Sequence, residues 1–135
     1  MKVVDPTREA ISRFAQAMPA DEPLVMLNLL RFRAEAAYPA GSEHPPCSGQ
    51  EAYRRYLNVA AGKVAEAGGS IEWKGTARAE VIAPPDEHWH EVLLVRYPSA
   101  AAFLGMLKDL EYQASTIHRT AALEDARLIA LSPGT

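Results

Sequence analysis

The 135-residue sequence predicts an α+β fold, with helices laid over an antiparallel sheet. Three observations carry that expectation. Compact apolar runs such as "LVMLNLLRF" and "EVLLVRY" have the length and residue types of buried strands. Longer segments such as "QEAYRRYLNVAAGKVAEAGG" repeat their apolar residues at helical spacing and stop at glycine. Two strand-like segments follow one another across "PPDEH" with no helix between them, as an antiparallel hairpin requires.

In chain order, "DPTREAISRFAQAM" reads as the first helix. Asp5 is expected as its cap and Pro6 at its first turn, with Ile11, Phe14, Ala15 and Met18 forming one stripe. Leu24 to Phe32 is a strand interrupted by two polar residues, Asn28 and Arg31. A long loop rich in Gly, Pro and small residues follows, and structureless loops of this length tend to be functional or mobile. Ser48 and Glu51 have the spacing of a capping box. Behind them Tyr53, Tyr56, Leu57, Ala60, Ala61 and Val64 mark the second helix, which Gly68 and Gly69 end. "SIEWKGTARAEVIA" reads as one long strand with Gly75 as a bulge or close-approach point, and "WHEVLLVRY" as its hairpin partner. A helix starts at Ser99 with Phe103, Met106, Leu107 and Leu110 inward, the stretch after it extends or restarts the helix, and "ARLIAL" is a last strand.

After the first helix the order is β-α-β-β-α-β, the ferredoxin-like pattern. The expected organisation is one domain over 1–135, with an N-terminal helical extension (1–20) and a ferredoxin-like core (22–132). Helices cover one sheet face. Strands this apolar need cover on the other face too, which predicts a homodimer with two sheets packed face to face.

Composition narrows the function. A net charge of −3 argues against a nucleic-acid partner, which needs a dense basic face. No apolar run approaches the ~20 residues of a membrane span, and the start lacks the apolar core of a signal peptide. With the lone Cys47 unable to form an internal disulfide, a cytoplasmic location is expected.

Candidate site residues concentrate in "LEYQASTIHRTAALED". On a continuous helix Tyr112, Thr116 and Arg119 share one face, Leu110, Ala114, Ile117 and Ala121 the opposite, apolar one, and His118 the border. His118 has the chemistry of an acid/base near neutral pH; otherwise it caps a carbonyl or sits at a dimer rim. Arg119 either clamps a carboxylate or enolate, or forms a surface ion pair with Glu111, Glu124 or Asp125. Tyr112 serves in packing with a wet hydroxyl, or as an acid. Asn28, an amide inside an apolar strand, must be satisfied by a strand or water, or face a cavity as a ligand donor. Trp73 either walls a cavity for a planar ligand or fills the core. "HWHE" puts His88 and His90 two apart, but no third ligand stands at a telling position, so no metal is assigned. Neither a phosphate-binding glycine loop nor a nucleophile elbow is present.

"GGSIEWKG" after the second helix, the "LLVRYPS" strand-to-helix junction, and "EYQ" followed by Arg119 carry a family resemblance. The chain resembles the proteins grouped as domain of unknown function 1330, within the dimeric α/β barrel superfamily, over roughly Leu24 to Leu131. The resemblance implies the fold and the dimer. The N-terminal helix and the loop after Phe32 depart from shorter members. Superfamily relatives include cofactor-independent monooxygenases, isomerases of small lactones and haem-binding enzymes. Asn28, Trp73 and His118 match a haem-site set in residue type, with a longer Trp-to-His separation, and no cofactor is assigned. The expectation is therefore a homodimeric barrel binding a small, partly apolar, anionic or enolisable molecule between sheet and helices. Its chemistry, if it is an enzyme, is proton transfer or cofactor-independent oxygenation. His118 then acts as acid/base, Arg119 handles charge, and Asn28 orients an oxygen. The alternative is a non-catalytic binding or assembly module whose cavity is filled by its own side chains.

Overall fold

Leu24–Phe32 forms the central strand, β1, in a computed structural model that describes residues 1–134. Leu24, Met26 and Leu30 are buried on one face, while Val25, Leu27 and Leu29 turn to the other with the two-residue period of a strand. β3 (Glu91–Tyr97) and β4 (Leu123–Leu131) flank β1, and β2 (Ser70–Thr76) lies outside β3, all antiparallel. One helix, α2 (Gly49–Glu66), joins β1 to β2; two, α3 (Ala100–Leu107) and α4 (Leu110–Ala122), join β3 to β4. The connectivity is the expected β-α-β-β-α-β, preceded by the extra helix α1 (Arg8–Ala17). The core lies between sheet and helices, where Leu24, Leu30, Leu93 and Leu123 meet Ala52, Tyr53, Ala60, Phe103 and Ala122.

Local signals set most boundaries. Ser48 caps α2 by accepting from the Glu51 amide, and Gly68, at φ +85°, turns the chain out of it. Ser99 and Asp109 cap α3 and α4 in the same way. α1, however, is capped by Thr7, not Asp5: Thr7 Oγ1 accepts from the Ala10 amide, while Asp5 receives the Thr120 hydroxyl on α4. Leu110 is 80% exposed rather than inward, because α3 ends at Leu107 and Leu110 opens a new helix on a different bearing.

The long strand expected after α2 stops at Thr76. One further bond, Ala77 N–H to the His90 carbonyl, closes the pairing. Beyond it Val81 and Ile82 are more than 90% exposed. Alternation alone makes no strand without a partner, and β3 begins only at Glu91. The bulge falls between Ile71 and Trp73, whereas Gly75 is the close-approach point: a Cβ there would lie 2.2 Å from the Trp73 ring.

The loop between β1 and α2 is tied down rather than loose. Arg33 N–H donates to the Ala122 carbonyl, Ala37 N–H to Ala121, Ala36 N–H to Cys47, and Gly49 N–H to Arg33. No helix among the described residues is long and apolar enough to cross a membrane. The sheet face away from the helices is apolar and lacks cover: Trp73, Ile129 and Leu131 are exposed beside Val25, Leu27, Leu29 and Leu94.

Candidate functional site

A cavity of about 1110 Å³ opens between the sheet, α2, α4 and the N-terminal segment with α1. Its apolar walls come from Met26, Leu93 and Val95 on the sheet, Val64 on α2, Phe103 and Met106 on α3, and Phe14 and Met18 on α1. Into it point Asn28, three phenols (Tyr53, Tyr56, Tyr112) and Arg119.

Helical spacing puts Tyr53, Tyr56 and Ala60 on one side of α2, facing the sheet. α4 is set against α2 by Lys63, which bridges to Asp109 and Glu111 at the start of α4. The inward face of α4 is Tyr112, Ser115, Arg119 and Ala122; on the opposite side Leu110 and Ala114 face solvent, Ile117 is half-buried and Ala121 is buried. This helix does not seal a dry core; it lines a cavity whose polar groups must face inward.

Tyr56 and Tyr112 share a 2.9 Å hydroxyl–hydroxyl bond. One of their two protons is used there, so the pair has one O–H left to donate. Tyr53 is 3% exposed and its hydroxyl has no hydrogen-bond partner among the described residues; no buried side-chain polar atom is sealed off unpaired, so this one meets the cavity space. Burial pushes the Tyr53 and Tyr56 phenols well above the ordinary tyrosine value, with the nearby Arg119 charge only partly offsetting it. Both remain neutral donors at physiological pH. Arg119 donates to the Val4 carbonyl at 2.7 Å and has no carboxylate within 4.0 Å among the described residues, so the ion pairs with Glu111, Glu124 or Asp125 do not form. Asn28 lines the cavity, with one long internal bond of 3.4 Å to the Met26 carbonyl. As its strand period requires, Arg31 turns away from that cavity, to Glu124.

His118 and Trp73 are not in the cavity. His118, next to Arg119 and so about 100° around the helix, points under the long loop. There its Nδ1 lies 2.7 Å from Tyr38 Oη, and its ring meets His44 edge-on at 4.5 Å. Arg55 donates to the same Tyr38 oxygen. Burial, His44 and Arg55, in that order, hold the His118 pKa below its ordinary value. Trp73 lies on the open sheet face, 56% exposed, flat against Gly75. Asn28, Trp73 and His118 thus stand in three separate places, and the haem-type set is not assembled. His88 bonds Glu80 while His90 Nδ1 accepts from the Phe32 amide, so the "HWHE" pair is divided too. Sequence reasoning placed Tyr53 and Tyr56 only in the packing of α2; the polar tips of two aromatics on one helix face were the signal that could have found them.

No protein-family profile matches the chain, and no curated protein does. Solved structures do. The RPA0582 protein of Rhodopseudomonas palustris, a protein of unknown function, is 38% identical over 100% of this chain and 99% of its own, with a TM-score of 0.90. A methylated form of RPA0582 gives 40% identity, 99% and 96% coverage, and a TM-score of 0.91. A dabb family protein with a ferredoxin-like fold from Mesorhizobium loti is 12% identical over 84% of this chain and 98% of its own, with a TM-score of 0.53, a likeness of fold alone. At this identity over nearly the whole of both chains, the chain belongs to the family of the RPA0582 protein, and its fold is ferredoxin-like.

Proposed function

We propose that this protein binds an apolar organic anion in the cavity between sheet and helices. The observation that carries it is Arg119: a half-buried guanidinium with no carboxylate partner among the described residues, in the same mainly apolar cavity as an unpartnered Tyr53 hydroxyl. An uncompensated cation in a low-dielectric recess attracts an anion, and the phenols supply neutral donors to its second oxygen. Asn28 orients an oxygen of the ligand from the sheet side. The alternative of a self-filled cavity is disfavoured by the open volume of about 1110 Å³.

Binding is better supported than proton transfer. The phenols resist ionisation, and the histidine expected to act as acid/base lies outside the cavity, under the loop. Any acid/base role of His118 therefore belongs to the Tyr38–His118 pair. The resemblance to domain of unknown function 1330 is consistent with this reading, as is a cytoplasmic homodimer whose uncovered sheet faces pack together, leaving the cavity on the opposite side.

The test is a titration with phenylacetate against its neutral isostere phenylacetamide, followed by calorimetry. Preferential binding of phenylacetate that Arg119→Gln removes supports the proposal. Equal binding of the two, or none, overturns it.

A further inference from the structure

The cavity is large for one small metabolite: about 1110 Å³, against roughly 300–1,000 Å³ for most small-molecule sites. Its polar groups are also unevenly placed. Arg119 sits in the last turn of α4, beside Val4, with its charge felt at Tyr53 and Tyr56. From Asn28 toward the other end of β1 the register runs through Met26, opposite Val95, to Leu24, opposite Tyr97. At that end Tyr97 and Phe14 each pack against the Phe103 ring, at 5.1 and 5.3 Å. The cavity thus has a polar head region and an apolar body.

We infer that the ligand is a monocarboxylate with a long, flexible hydrocarbon chain, its acid group at Arg119 and the phenols, its chain running past Met26 and Val95 toward Met106 and Met18. This rests on the anion-binding reading and adds the ligand's class. A single charge is favoured because, of the three arginines that line the cavity, only Arg119 is both inward and free of a carboxylate among the described residues, while the lining Asp5 is bonded by the Thr120 hydroxyl. Arg127 is engaged by Asp125, and Arg13 is exposed to water. A flexible chain is favoured because three of the apolar wall residues are methionines, whose unbranched thioethers adapt to a variable shape.

The experiment measures dissociation constants of the full-length protein for hexanoate, decanoate and tetradecanoate below their micellar concentrations, with 1-tetradecanol as the uncharged control. Affinity should rise by roughly three- to fourfold per methylene across the series. Tetradecanoate should bind roughly ten- to a hundredfold more tightly than tetradecanol. Arg119→Gln should level acid and alcohol, and Tyr53→Phe, which removes a hydroxyl that supports nothing in the fold, should weaken the acid alone. Arg119→Lys should restore part of the preference. An affinity that stops rising at hexanoate, while phenylacetate still binds through Arg119, overturns the long-chain inference and leaves the anion reading standing. If phenylacetate and tetradecanoate both ignore Arg119→Gln, the anion reading falls with it.

Discussion

Gly49 opens α2 at the point where the long loop, β1 and the end of α4 converge. A Cβ built there would lie 2.2 Å from the Arg33 carbonyl oxygen, 2.6 Å from that of Ala122 and 2.7 Å from the Arg33 amide. All three are backbone atoms, so no side chain can swing away. Gly49→Ala must separate strands of chain now joined by Gly49 N–H to Arg33 at 3.1 Å and Arg33 N–H to Ala122 at 2.9 Å. Overpacking at such a site costs about 1–3 kcal/mol, and each hydrogen bond lost adds about 1. Alanine's preference for helix returns about 1 kcal/mol. The net expectation is a destabilisation of about 2–4 kcal/mol, read as a lower urea midpoint by circular dichroism. Gly62 in the same helix has nothing within 4 Å of its added Cβ, so Gly62→Ala should stabilise by about 0.5–1 kcal/mol. Opposite signs from one substitution in one helix are the signature. A Gly49→Ala protein as stable as the parent would refute the close backbone packing of the start of α2 against Arg33 and the end of α4.

Three further outcomes follow from the same geometry. Because the folded-state pKa of His118 is depressed, its contribution to stability is fully present above the ordinary imidazole value of 6.5 and is lost as pH falls through that value toward the folded one. Urea midpoints at pH 8 and pH 5 should therefore differ in the parent and differ less in His118→Gln; an unchanged difference sinks the assignment. Carboxylates with lowered pKa, such as Asp109 and Asp125, contribute only in a lower window. Sedimentation at micromolar concentration should give a dimer, with Trp73→Glu shifting it to monomer; a monomeric parent would mean that the open sheet face is covered in another way. Tyr56→Phe leaves the Tyr112 hydroxyl without its 2.9 Å partner in a buried setting, at an expected cost of about 1–3 kcal/mol by thermal or urea unfolding.

The sequence yielded the architecture because its elements are locally consistent: Ser48, Ser99 and Asp109 cap the helices, Gly68 stops one, and the strand runs are rich in Leu and Val. It misled where packing overrides local pattern. Leu110 was expected on the buried side of the helix that starts at Ser99, yet it faces water because that helix ends at Leu107 and α4 opens on a new bearing. Arg119, Tyr112 and Asn28 were legible as polar residues in apolar surroundings, and the structure brings these three to one cavity. His118, expected at the border of the two faces of α4, turns about 100° away from Arg119 and out of the cavity, to Tyr38. Trp73 was ambiguous from sequence because the bulge after Ile71 and the glycine beneath its ring, not its own type, decide which face it takes.

The most direct test of the central claim is the Arg119 Nε–H resonance, assigned by its loss in Arg119→Gln, followed during titration with phenylacetate. Binding in the cavity should give a saturable shift of this signal together with those of Tyr53 and Asn28, while the His118 ring stays still. Shifts confined to His118, His44 and Tyr38, with Arg119 unmoved, would contradict it and relocate any binding to the outer face.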